Sequence, residues 1–322
     1  MTDRPVLAVT GATGFIGQAL LTAAFAENWQ PRILVRRYPR DCLVPGRTIE
    51  VVPGDLNDPG ALGRLVEGAT AIVHLAGLIK ALHAADFLAA NAGGTEQLLR
   101  AAQTANPAAA FLHVSSLAAR EPQLSPYAAS KRASEDKVRD LAGDRPWAII
   151  RPPAVYGPGD TATLPLFRAA HGGFLPYPAA PRARVSLIHV ADLVSAVLAM
   201  LRQLQDGRLL SGSLIEIDDG HPGGHDWNGM LEALRQAVGH PVRGLRLPRW
   251  LVLPIAATNA LICRARGRAD VFVPAKLAEL YHADWVATAS ELPKIVGWRP
   301  LFDLQDGFSD TFRWYRDHSF IT

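Results

Sequence analysis

An apolar run, a glycine-spaced turn and a stretch of helical period follow one another at the start of this chain, and that succession leaves few folds open. Pro5-Val6-Leu7-Ala8-Val9 shows no polar alternation, as suits a strand buried on both faces of a parallel sheet. Thr10-Gly11-Ala12-Thr13-Gly14-Phe15-Ile16-Gly17 supplies the turn, and Gln18–Phe25 recurs at helical spacing. Each glycine has its own reason: Gly11 permits a tight turn, Gly14 lets backbone approach a pyrophosphate, and Gly17 lets the helix pack closely on the strand. The helix N-terminus then faces the phosphate charge.

The alternation continues. Strand-like apolar runs recur at Ile33–Val35, Ile49–Val52, Ala71–Leu75, Phe111–Val114 and Trp147–Ile150, with helix-compatible stretches between most of them. That pattern predicts an α/β fold, a doubly wound parallel sheet whose ligand-binding turns lie at the carboxyl ends of the strands. Gly11, Arg36, Asp55, Ala76 and Ser116 all fall there. From Gly157 onward proline and glycine become denser. We expect a dinucleotide-binding domain over 1–156, to which 184–212 returns, and a smaller substrate-binding lobe made of 157–183 and 213–322.

Tyr127 and Lys131 stand four apart, so a helix presents them on one face. An ammonium beside a phenol favours the ionised phenol, bringing a group that titrates near pH ~10 closer to neutrality. By itself this spacing is common as a surface pair on ordinary helices. Ser116 changes the balance: it follows the apolar run ending at Val114, where a hydroxyl is placed to hydrogen-bond a substrate carbonyl together with Tyr127.

The G-x-x-G-x-x-G spacing of Gly11, Gly14 and Gly17, taken with Ser116, Tyr127 and Lys131, resembles the extended branch of the short-chain dehydrogenase/reductase superfamily. Asp55-Leu56 resembles that family's adenine-ring contact, and His74-Leu75-Ala76-Gly77 its fourth-strand motif beside the adenosine ribose. Asn91-Ala92-Gly93-Gly94-Thr95 resembles its central-helix Asn motif, and Arg151-Pro152-Pro153-Ala154-Val155-Tyr156-Gly157 its sixth-strand exit. Ile188-His189-Val190-Ala191-Asp192 and Gly297-Trp298-Arg299-Pro300 match two late signatures.

The resemblance implies hydride transfer from a nicotinamide to a ketone carbon. Tyr127 would protonate the oxygen, Ser116 position the carbonyl, and Lys131 hold the nicotinamide ribose while tuning Tyr127. Asn91 would orient a proton relay, or else cap a helix. The cofactor-binding set it implies is Gly11, Thr13, Gly14, Phe15, Ile16, Gly17, Arg36, Arg37, Asp55, Leu56, Leu75, Ala76, Gly77, Tyr127, Lys131 and Pro153. The second strand ends Val35-Arg36-Arg37, where an NAD site usually has an acidic residue for the ribose 2′-hydroxyl. A guanidinium holds a 2′-phosphate instead, so Arg36 and Arg37 favour NADP(H) over NAD(H), unless both are solvated residues opening a loop.

Two departures separate this chain from the nucleotide-sugar epimerases and dehydratases of the family. Ala154 stands where those enzymes commonly carry Asn, and Leu117–Pro126 is a short spacer between Ser116 and Tyr127. Dehydratases also add an acidic pair directly after the active-site hydroxyl, where this chain has Leu117-Ala118. A third reading, a non-catalytic cofactor-binding subunit like the accessory protein of respiratory complex I, goes with loss of the Tyr or Ser, and both are present here.

Trp250–Cys263 carries no charge and is flanked by Arg246, Arg249, Arg264, Arg266 and Arg268. It is short of the about 20 residues a membrane span needs. It reads as an interfacial helix with basic anchors, the wall of an apolar pocket, or a buried lobe helix. In position it resembles the hydrophobic segment of 3β-hydroxysteroid dehydrogenase-like members, which handle lipid ketones at membranes. The expected reaction is therefore NADPH-dependent reduction of a lipid ketone. Overall resemblance to the family's bacterial 3-oxo-dihydroceramide reductases points to that substrate, with sterol or other 3-oxo-lipids close behind.

Composition narrows the partners. Lys and Arg number 33 against 30 Asp and Glu, a net +3 with no long basic run, which is no nucleic-acid footprint. Cys42 and Cys263 stand apart and form no C-x-x-C pair. His221, His225 and Asp226 lie in a glycine-rich stretch that cannot be a regular helix presenting i, i+4 ligands, so we expect no metal and read a flexible loop there. Asp218-Asp219 reads as a solvated turn, and His189 and Asp192 as fixing a helix start. The first strand begins almost at once and leaves no room for a signal peptide, so the cytoplasm or the inner face of the cell membrane is the expected location. A homodimer through two central helices is a further expectation from the resemblance.

Overall fold

Parallel strands without polar alternation need cover on both faces, and the sheet of the computed structural model has it. The structure describes residues 4–38, 44–180, 182–208, 211–270, 272–288 and 297–322. Two compact units divide the chain: Met1–Arg151, Val194–Ile215 and Glu291–Trp298 form the first, and Pro152–Leu193, Glu216–Ser290 and Arg299–Thr322 the second.

In the first unit, β1 (Val6–Thr10), β2 (Gln30–Val35), β3 (Glu50–Pro53), β4 (Ala71–His74), β5 (Ala110–Val114) and β6 (Trp147–Arg151) alternate with helices. These are α1 (Phe15–Ala26), α2 (Pro59–Val66), α3 (Ala84–Phe87), α4 (Gly94–Ala105) and α5 (Pro126–Leu141). All pairings among the six strands are parallel, with lateral order β6, β5, β4, β1, β2, β3, so the expected doubly wound sheet is what the chain forms. Strand order reverses between β1 and β4, and ligands of such sheets bind at the carboxyl ends of the strands at that reversal. Register sets Thr10 beside His74 and His74 beside His113. Beneath them Ile72, Leu98, Phe111 and Ile149 are fully buried.

A seventh strand, Ser213–Glu216, flanks β6 in the same sheet. The lobe boundary expected at 213 therefore falls inside the main sheet. The strand is short and half polar, and its entry is set by a backbone bond from Gly212 N–H to the Trp147 carbonyl at 2.8 Å, which no local pattern announces.

The second unit contains α6 (Leu164–His171), the start of α7 (Val190–Gln205), α8 (Trp227–Val238), α9 (Arg249–Arg266), α10 (Pro274–Leu280) and α11 (Leu304–Asp317). Aromatic rings fill its core, with Tyr156 edge-on to Phe308 at 5.1 Å and Phe167 to Tyr315 at 5.3 Å. Gly307 makes room for this packing: a Cβ there would lie 2.2 Å from the Tyr156 hydroxyl. α9 is different. Only Val252 and Ala256 are buried, packing with Leu277, while Trp250, Ile255 and Leu261 are 74%, 58% and 64% exposed. The buried-helix reading of this segment does not hold, because too few of the described residues pack against it. Among the described residues no helix is long and apolar enough to cross a membrane.

Candidate active site

β1 ends at Thr10 and the chain turns at Gly11, where two constraints demand glycine. Its φ is +75°, and a Cβ would lie 2.7 Å from the Ala76 nitrogen in the loop after β4. Gly17 is equally restricted, since its Cβ would fall 2.3 Å from the Gly11 carbonyl oxygen. Gly14 is less so: its φ is −79° and an added Cβ would meet only the Gly11 oxygen, at 3.3 Å. Gly14 caps α1 with no side-chain bond and no acidic residue in the first turn, so the donors of that turn keep their partial positive charge for an anion. Thr13 and Gly14 are exposed, and Phe15 and Ile16 half-buried, around this end. The residues present fit a dinucleotide pyrophosphate.

Behind the turn runs a directed chain of hydrogen bonds. The Ala76 N–H donates to Thr10 Oγ1 at 3.3 Å, and Thr10 Oγ1 lies 2.6 Å from His74 Nδ1. His74 Nε2 lies 2.9 Å from Thr95 Oγ1, which donates to the Asn91 carbonyl at 2.6 Å. One proton assignment satisfies all four. Thr95 gives its proton to a carbonyl, so it accepts from His74 Nε2–H, and Nδ1 accepts from Thr10. The imidazole is neutral: burial, aided by the Lys131 charge, pushes its pKa down to about 3.

Asn91 sits in a π-helical turn, Leu88–Gly93, between α3 and α4. Its Oδ1 accepts from Leu78 N–H at 2.7 Å, and its Nδ2 donates to the Leu78 carbonyl at 3.1 Å and to Ser130 Oγ at 2.8 Å. The side chain thus clamps the loop after β4 to α5. It is no helix cap, because it lies within a continuous helical run. Gly77 is fitted to this clamp, since a Cβ there would be 2.9 Å from Asn91 Oδ1.

Ser125 starts α5 by accepting from Ala128 N–H at 3.0 Å, which puts Tyr127 and Lys131 in its opening turns and on one face. Lys131 is 5% exposed and its Nζ donates to the Val114 carbonyl at 2.9 Å. That bond ties the face bearing Tyr127 to the strand end carrying Ser116. Burial lowers the Lys131 pKa to about 8, against the opposing pull of the Glu135 charge. The Tyr127 ring meets Phe87 edge-on at 6.2 Å. Ser116 Oγ accepts from Ala118 N–H at 3.2 Å, at the start of a 3₁₀ turn, and this bond leaves its own proton to be donated.

The other candidates scatter more widely. Arg36 and Arg37 follow β2 and are exposed. Asp55 is exposed and accepts from Asn57 N–H at 2.7 Å. Leu56 covers Gly94, where a Cβ would lie 2.5 Å from the leucine Cδ1. Leu75 N–H donates to the Thr10 carbonyl at 3.2 Å. Pro153 is buried and belongs to the second unit.

Three readings in the second unit need correction. His225 Nε2 lies 2.6 Å from Asp219 Oδ2 with both side chains nearly buried, and Ser186 Oγ donates to Asp218 at 2.8 Å. The acidic pair is thus an anchor rather than a solvated turn. The glycine-rich stretch is pinned as well, by Val185 N–H donating to the His225 carbonyl at 2.9 Å. Asp192 accepts from Leu301 and Phe302 N–H at 2.9 and 3.0 Å, so it tethers a distant segment instead of fixing the start of α7, where Ala191 N–H donates to His189 Nδ1 at 3.3 Å. Cys42 lies outside the described residues. Sequence reasoning missed Thr10, Thr95, Ser115, Ser130, Glu135 and Arg151. The one available signal was Glu135, a helical turn beyond Lys131.

The class follows from comparison with known proteins. The model of the NAD dependent epimerase/dehydratase family matches residues 7–211, and the chain belongs to that family. It is an oxidoreductase by the company it keeps. The ceramide reductase of Caulobacter vibrioides is 42% identical over 314 residues, 97% of this chain and 95% of that protein. A 3 beta-hydroxysteroid dehydrogenase/Delta 5-->4-isomerase of Mycobacterium tuberculosis is 26% identical over 98% of this chain and 91% of its own. The structure of MoeE5 in complex with UDP-glucuronic acid and NAD covers 98% of this chain and 99% of its own with TM-score 0.72 at 20% identity, a likeness of fold.

Proposed function

We propose that the protein reduces a long-chain ketone to an alcohol with NADPH, and that its substrate is 3-oxo-dihydroceramide, giving dihydroceramide. The 42% identity to a ceramide reductase along 97% of the chain carries this reading. Apolar surface in the first unit supports it: Leu78, Ile79 and Leu88 are 37%, 57% and 47% exposed, and Phe87, which touches Tyr127, precedes Leu88. The nicotinamide supplies hydride when bound. Ser116 donates to the ketone oxygen, Tyr127 gives that oxygen its proton, and the Lys131 ammonium eases the phenol's ionisation. Asn91 acts by positioning, because a relay through its side chain would break its bonds to Leu78 and Ser130.

Arg36 and Arg37 hold the 2′-phosphate that distinguishes NADPH. The second unit supplies the substrate-binding lobe. Residues 246–268 rest on the inner face of the cell membrane, with the exposed apolar side of α9 in the lipid and its arginines at the headgroups. The homodimer stays part of the proposal, for sedimentation to decide. Nucleotide-sugar epimerisation is the second reading; family membership favours it, while Ala154 and Leu117-Ala118 weigh against it.

The test follows NADPH and NADH oxidation by absorbance with detergent-dispersed 3-oxo-dihydroceramide and Tyr127→Phe as control. NADPH-dependent turnover that the substitution abolishes supports the assignment. Cofactor binding without turnover removes this substrate and turns attention to other oxo-lipids, then to UDP-sugars.

A further inference from the structure

α5 buries a second charge one turn beyond Lys131. Glu135 is fully buried, and Arg151, the last residue of β6, grips it with two bonds, Nε to Oε1 at 2.8 Å and Nη2 to Oε2 at 2.7 Å. Ser115 Oγ donates to Oε1 at 2.6 Å. From α5 itself Arg139 Nη2 reaches Oε2 at 3.3 Å and Arg132 Nε comes within 3.9 Å. One carboxylate therefore joins α5 to the ends of β5 and β6, next to Ser116. A buried ion pair is a poor way to gain stability, since desolvation offsets most of the attraction and apolar residues of like volume do as well.

We propose that Glu135, held by Arg151 and Ser115, is a positioning residue for the proton-donating pair: it fixes the Ser116 strand end against α5 and holds the Lys131 ammonium beside Tyr127. This rests on the roles given to Ser116, Tyr127 and Lys131 above. The groups facing Lys131 leave the task to Glu135. His74 on β4 and His113 on β5 are stacked 5.3 Å apart, and burial and the Lys131 charge hold both neutral. His113 Nε2 donates to Ser134 Oγ, which donates in turn to the Lys131 carbonyl, so neither ring offers negative charge. Glu135 opposes the loss of the Lys131 proton that burial favours, and the carboxylate is itself kept ionised by Arg151 and Ser115. The sign follows: removing the Glu135 charge makes Lys131 lose its proton at lower pH, and the alkaline limb of kcat/KM moves with it.

Lys131 is one of five lysines, with Lys80, Lys137, Lys276 and Lys294, so carbon-13 labelling at Cε allows its titration to be followed by NMR in cofactor-free protein. The double variant Glu135→Gln/Arg151→Met removes the pair without leaving a lone buried charge. Expected is a Lys131 midpoint lower by about one pH unit, with the alkaline limb of kcat/KM shifted the same way. An unmoved Lys131 midpoint in the folded double variant overturns the proposal. Should that variant not fold, an unmoved midpoint in Glu135→Gln alone, which removes the charge and keeps a hydrogen-bonding side chain for Arg151 and Ser115, overturns it instead. A midpoint that moves while the limb of kcat/KM stays fixed leaves Glu135 its hold on Lys131 and removes the catalytic role given to Lys131.

Discussion

α5 and α9 are of similar length, 16 and 18 residues, and they break the usual partition of side chains in opposite directions. α5 encloses charge, with Lys131 and Glu135 both buried and both satisfied by named partners. α9 displays apolar surface, and its basic residues flank that surface. Each departure costs stability, one through desolvated charge and the other through hydrated hydrocarbon. The first is offset inside the protein by bonds already made. The second is not offset among the described residues, which is why the proposed function looks outside them, to lipid.

The comparison breaks most decisively at Tyr127. If the buried face of α5 is where chemistry occurs, Tyr127→Phe lowers kcat by roughly 10²–10⁴-fold while NADPH still binds, as fluorescence titration would show. Full turnover in that variant would detach the buried charges from catalysis. On α9, replacing Trp250, Ile255 and Leu261 together by Asp should weaken binding to anionic vesicles by at least about tenfold, read by co-sedimentation, with the thermal midpoint retained. Equal sedimentation would leave the exposed face without its proposed partner.

Two smaller effects sharpen the picture. His74 is held neutral in the fold and charges freely in the unfolded chain. Its contribution is therefore complete above pH 6.5 and is lost as pH falls toward about 3, by up to about 1.4 kcal/mol per pH unit. Urea unfolding across pH 4 to 7 should show this slope, and His74→Asn should flatten it; equal slopes would mean that other groups govern acid lability. Arg36→Ala should weaken NADPH about tenfold and leave NADH nearly unchanged, measured by titration of each.

What could be read from the sequence was what neighbouring residues determine. Gly17 answers to a steric limit within its own turn and Gly11 to the positive φ of that turn, and the first six strands answer to runs of apolar residues, whereas the approach of Ala76 to Gly11 is set by the sheet. The Tyr127 and Lys131 pairing needed only a helix, which Ser125 and Pro126 begin. The polar chain was invisible because its members come from separate elements, Thr10 and His74 being 64 residues apart and His74 and Thr95 21. Glu135 and Arg151 are likewise brought together by the sheet, not by spacing. For α9 the uncharged run was plain, but its exposure depended on how little packs on Val252 and Ala256.

The hydrogen-bond chain from Ala76 to Asn91 has a consequence for proton traffic. It begins at an amide N–H and ends at an amide carbonyl, and neither exchanges a proton readily near neutrality. The hydroxyls and the imidazole between them have each already given theirs in the same direction. The chain is therefore an insulator, and in the proposed reaction a proton given up by Tyr127 would not be replaced along it.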